Sequence, residues 1–95
     1  MTQVPARGFY GVYRQRIETL ANMPPRPNDI WMAELQEVLT QFKADTASLT
    51  PGRAHLLCWE LCEQFEDEAY QTGRHHRRDV LMAAIKGLER IALEP

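Results

Sequence analysis

The chain has 95 residues, 44% of them apolar and 25% charged, with a net charge of −2. A single domain near the lower size limit for a self-sufficient core is expected, and the composition is wrong for a disordered chain. The charge excludes a wholly basic surface for nucleic acid, and no apolar run is long enough to cross a bilayer. The start, Met1-Thr2-Gln3-Val4-Pro5-Ala6-Arg7, lacks the charged and apolar regions of a secretory signal, so a cytoplasmic location without a membrane partner is expected.

Phe9, Tyr13, Ile17 and Leu20 recur at helical spacing and predict a short helix over 9–21, after a flexible stretch at 1–8. Gly8 and Gly11 weaken its start, because each glycine costs about 1 kcal/mol against alanine inside a helix. Asn22-Met23-Pro24-Pro25-Arg26-Pro27 cannot continue a helix, so 22–28 reads as a proline-rich linker. It contains a PxxP pattern of the kind SH3-type grooves bind, but its place between two helices favours a stiff connector.

The second helix starts at Asn28 or Asp29, either of which can cap it. Trp31, Leu35, Val38, Leu39, Phe42 and Thr46 share one arc, and polar residues take the rest. The third helix has Thr50 as cap and Pro51 in its first turn, with Leu49 and Ala54 placed as a hydrophobic staple. It runs to Thr72, where Gly73 is expected to supply a left-handed stop. Its main arc is Ala54, Leu57, Cys58, Leu61, Phe65 and Ala69. The fourth helix starts between Arg74 and Asp79 and runs to Leu93, burying Val80, Leu81, Ala84, Ile85, Leu88, Ile91 and Ala92. Its Ala83 and Gly87 would let a backbone or a large ring approach closely. No strand-like alternation competes. The expected class is all-α: a small bundle of three long antiparallel helices plus a short N-terminal one.

The charge is laid out by segment. Residues 1–28 carry four Arg against one Glu, and 73–95 five bases against three acids; between them 29–50 has one base against four acids, and 51–72 one against five. Nine Arg against two Lys suggests a GC-rich bacterial or mobile-element origin. The cluster Arg74-His75-His76-Arg77-Arg78 has two readings. Arg74, Arg77 and Arg78 could bind an anion or nucleic-acid phosphates at a helix N-terminus. Alternatively they pair with Glu66, Asp67 and Glu68 across the Thr72-Gly73 turn, since acids at a helix C-terminus and bases at an N-terminus each oppose the helix dipole. Mutual pairing is the preferred reading.

Cys58 and Cys62, four apart on one helix, are poorly suited to an unstrained disulfide and read as free, half-buried thiols. A metal site built from these cysteines with His55, His75 and His76 does not close, because Cys62 lies about 12 Å along the axis from the histidine pair. No nucleophile–base–orienter set and no phosphate loop is present, so no enzyme, metal or cofactor is expected.

One feature exceeds what a bundle needs. Leu56, Trp59 and Tyr70 lie on the side of the third helix away from its main arc, interleaved with Glu60, Glu63, Glu66 and Asp67. Either the first helix, aromatic and basic, folds over them, or they form an interface with a partner or a second copy. The expected function is therefore a small helical protein-interaction module, a regulator or adaptor that binds a protein partner and forms a homodimer. Its site residues are Leu56, Trp59, Glu60, Glu63, Asp67 and Tyr70. The alternative is a nucleic-acid-associated regulator acting through Arg74, Arg77 and Arg78.

Overall fold

The structure is a computed structural model that describes residues 6–94. It contains four helices: α1 (Ala6–Asn22), α2 (Asn28–Thr46), α3 (Pro51–Gln71) and α4 (His75–Leu93). They pack into a body of 38 × 26 × 23 Å with a radius of gyration of 13.1 Å. No described helix is long and apolar enough to cross a membrane.

The first helix departs from expectation. At 17 residues it is no short appendage, and it starts at Ala6, before both glycines; of the stretch expected to be flexible, 1–5 lie outside the described residues. The reason is burial. Tyr13, Ile17, Leu20 and Ala21 are all buried, and a β-carbon at Gly11 would meet nothing, so that glycine faces open space. Four buried side chains outweigh a propensity cost of about 1 kcal/mol per glycine. Phe9, assigned to the same arc, is only half-buried.

The linker is stiff in a specific way. Arg26 forks onto Glu34 with two hydrogen bonds of 2.7 Å, tying the proline stretch back onto α2. Pro27 is the N-cap residue, and its carbonyl accepts from the N–H groups of Ile30 and Trp31. Asn28 does not cap α2. Its Oδ1 accepts instead from the indole N–H of buried Trp31 at 3.0 Å, which meets an otherwise unsatisfied donor in the core.

At α3 the expected start holds: Thr50 Oγ1 accepts from the N–H of Arg53, Pro51 opens the helix, and Leu49 packs half-buried against the core. Its end is different. No described glycine has positive φ, so Gly73 does not supply a left-handed stop. Thr72 and Arg74 are both extended, and this straightened turn separates α3 from α4.

The six side chains central to the arcs of α2, α3 and α4 (Leu35, Phe42, Leu61, Phe65, Leu81 and Leu88) are all buried, with α1 contributing Tyr13 and Ile17. Tyr13 meets the edge of Phe42 at 5.0 Å between ring centroids and donates its hydroxyl to Asp45. Burial and the Asp45 carboxylate push the Tyr13 phenol up to about 12, while the hydrogen bonds from Tyr13 and Gln41 hold Asp45 below its usual range. The small residue Gly87 admits neither a backbone nor a ring. Leu39 of α2 fills the space, and a β-carbon at Gly87 would run into its Cδ1.

Candidate functional site

The outer side of α3 stays largely uncovered. Leu56 is 58% exposed, Trp59 37% and Tyr70 82%, and Met82 of α4 adds a fourth large apolar side chain at 43%. Of the two readings of this surface, cover by α1 is seen only at its edge: the apolar arc of α1 goes into the core, Arg14 stands 3.8 Å from Glu68, and Tyr10 lines a shallow hollow of about 250 Å³ with Glu60, Glu63, Gln64 and Asp67. Access from solvent to Leu56, Trp59 and Tyr70 is the result.

The expected site residues therefore divide. Glu60, Glu63 and Asp67 border the α1 side, whereas Tyr70 borders the α4 side. There a groove of about 600 Å³ runs between α3 and α4, lined by Glu66, Ala69, Tyr70, Arg78, Met82, Ile85 and Glu89. Its floor is the buried pair Ala69 and Ile85. A second groove of about 530 Å³, between α1 and α2, is lined mainly by polar side chains including Arg16, Glu34 and Glu37. The α1–α2 groove lacks the apolar lining typical of small-molecule sites, whereas the α3–α4 groove has an apolar floor bordered by Glu66, Arg78 and Glu89.

Trp59 is held in place by His55. The indole N–H donates to His55 Nε2 at 2.6 Å, and His55 Nδ1 lies 3.1 Å from the carbonyl of Ala92 near the end of α4. A neutral imidazole with its proton on Nδ1 satisfies both contacts at once. The ring of Trp59 is thereby fixed, which lowers the ordering cost of any contact made to it. Spacing alone put His55 and Trp59 one turn apart. The third partner, a carbonyl 37 positions away from His55, had no sequence signal.

The basic cluster resolves into separate roles. Arg77 donates to Asn22 Oδ1 at 2.7 Å and stands 3.5 Å from Glu68. Arg78 donates to the carbonyl of Thr72 at 2.9 Å, meeting an exposed acceptor at the end of α3. Arg74 is exposed and makes no ion pair among the described residues. Pairing across the turn thus occurs once, at Arg77–Glu68, and does not extend to Glu66 or Asp67.

Glu68 belongs to a charged knot at the meeting of α1, α3 and α4 that sequence reasoning missed. Arg14 lies 3.8 Å from both Glu18 and Glu68. Burial, reinforced by the neighbouring Glu18 carboxyl, pushes Glu68 up to about 7, against the opposing pull of Arg77 and Arg14. Glu18 Oε1 and Glu68 Oε2 are both buried without a hydrogen-bond partner.

Cys58 and Cys62 are free and buried rather than half-buried, and burial pushes their thiols up to about 11 and about 12. Among the described residues no three His, Cys, Asp or Glu side chains converge as metal ligands do.

Comparison with known proteins adds no relative. No family model, no curated protein and no solved structure matches the chain. Its function has to be argued from its own surface.

Proposed function

We propose that this chain is a small helical protein-interaction module, a regulator or adaptor, that binds a protein partner, or a second copy of itself, through the outer side of α3 and the groove beside α4. The role is one of binding rather than catalysis. The carrying observation is the exposed series Leu56, Trp59, Tyr70 and Met82 on a small domain whose core is already filled by other residues. Tryptophan and tyrosine are the side chains most enriched at the energetic centres of interfaces, and the surrounding acids supply the polar rim such surfaces carry. In this reading α3 and α4 run antiparallel as a hairpin, whose outer face is the docking platform. The two buried thiols fit a reducing, cytoplasmic setting.

The alternative reading through Arg74, Arg77 and Arg78 has less support. Arg77 is paired with Glu68 and donates to Asn22, and Arg78 is held by the Thr72 carbonyl, so the three side chains do not converge on one free anion site. Binding to generic DNA over a salt series tests it, because phosphate contacts weaken steeply as salt rises.

The proposal itself is tested by sedimentation of the parent and of a Leu56→Glu/Trp59→Glu double variant. The parent is expected to self-associate or to co-sediment with its partner, and the variant to stay folded and lose that association. If the parent is monomeric and the folded variant binds everything the parent binds, the face is plain surface.

A further inference from the structure

We infer that the occupant of the α3–α4 groove is an amphipathic helix with Lys or Arg along the edges of its apolar stripe. This rests on the reading above, which leaves a partner and a second copy as alternatives, and it is the charge of the groove that separates them.

Glu66 of α3 is exposed, and Glu89 of α4 is half-buried on the opposite rim. Among the described residues neither forms an ion pair or accepts a side-chain hydrogen bond, whereas Glu18, Glu34, Glu68 and Glu94 all have cationic neighbours. The one cation lining the groove, Arg78, keeps its charge while donating to the Thr72 carbonyl, so with Glu66 and Glu89 the lining is net negative by one. The groove therefore presents a carboxylate without an ion pair on each rim over an apolar floor. A second copy docked about a two-fold axis would bring this acidic rim against itself, and like charges at contact are strongly unfavourable. A cationic partner meets the rim with opposite charge.

Shape and spacing favour a helix. Arg78 and Glu89, which both line the groove, are eleven positions apart on α4, about 16 Å along its axis at 1.5 Å per residue. A docked helix of about three turns covers that span, with anchors at i, i+4, i+7 and i+11 remaining on one face. The described residues contain no strand, so no sheet edge is on offer to an extended peptide that docks by strand addition. Met82, unbranched and flexible, lies between Arg78 and Glu89 in the lining and can adjust to a docked side chain.

The test titrates the full chain, labelled with ¹⁵N, with two synthetic peptides of the same helical pattern, one of Leu and Lys and one of Leu and Glu. The Leu–Lys peptide is expected to bind saturably at one site, shifting Trp59, Glu66, Tyr70, Met82 and Glu89, and the Leu–Glu peptide not to bind. Glu66→Gln with Glu89→Gln, both on the surface, is expected to weaken binding about tenfold at low salt and to flatten its salt dependence. Tyr70→Ser is expected to weaken it at every salt concentration. Equal binding of both peptides, shifts centred on the α1–α2 groove, or indifference to the double Gln change would each overturn the inference. If the chain self-associates through Leu56 and Trp59 but ignores the Leu–Lys peptide, the interaction face stands and the cationic occupant falls. If it does neither, both fall.

Discussion

The two sides of α3 carry large apolar residues in similar number and put them to different uses. On the inner side Leu57, Leu61 and Phe65 are buried against the other helices, and on the outer side Leu56, Trp59 and Tyr70 are left to solvent. Size does not separate the two sets. What separates them is that α1, α2 and α4 together supply a complete lining for one side and almost nothing for the other. A single helix thus carries both the core of the domain and its candidate contact surface, and substitutions on its two sides should have opposite signatures.

The largest contrast is expected at Phe65. Truncation to Ala removes a fully buried ring and should cost about 3–5 kcal/mol, enough to unfold a marginal domain. Thermal or urea unfolding checks it, and a variant that melts like the parent would mean that the inner side has been misassigned. The thiols report the same side chemically. With their ionisation pushed up to about 11 and about 12, Cys58 and Cys62 should resist alkylation at pH 8 in the native chain and react promptly in denaturant. Rapid native labelling would show that the core opens easily.

A smaller effect is expected on the flank of α3, at Glu68. Its carboxyl is raised from 4.5 in the ordinary state to about 7 in the fold, so the native chain keeps a proton that the unfolded chain gives up. Stability from this group is full below about 4.5 and is lost as pH rises through about 7. Glu68→Gln fixes the neutral form. It should remove that slope, leaving the variant close to the parent at pH 4.5 and more stable than the parent at pH 8, as denaturant melts at both values would show. The smallest change is expected on the outer side, where Tyr70→Ala should alter stability by no more than about 0.5 kcal/mol while weakening any partner contact. A large loss of stability there would erase the distinction between the two sides.

Much of this architecture was legible in the sequence. The arcs through Leu35, Phe42, Leu61, Phe65, Leu81 and Leu88 follow from a period of 3.6 residues, and Thr50-Pro51 marks the start of α3 by local chemistry. The outer side of α3 stood out for the same reason, as apolar residues outside the main arc. Illegible were the contacts between elements far apart in the chain: Tyr13 with Asp45, Arg77 with Asn22, Arg14 with Glu68, and His55 with the carbonyl of Ala92. Asn28 illustrates the conflict. Its residue type suits a helix cap, but a buried indole N–H nearby needed an acceptor and took its side chain.

The sequence by itself determined that this protein is all-helical and which side of each of α2, α3 and α4 is buried, because helical periodicity is a local property that any one segment displays. Only the tertiary structure decided that α1 is a full member of the core, that Arg77 is tied to Glu68 and Asn22, and that Leu56, Trp59 and Tyr70 stay open to solvent. Each of those depends on which helices lie side by side, and that is set by the packing of the whole chain at once rather than by any one stretch of it.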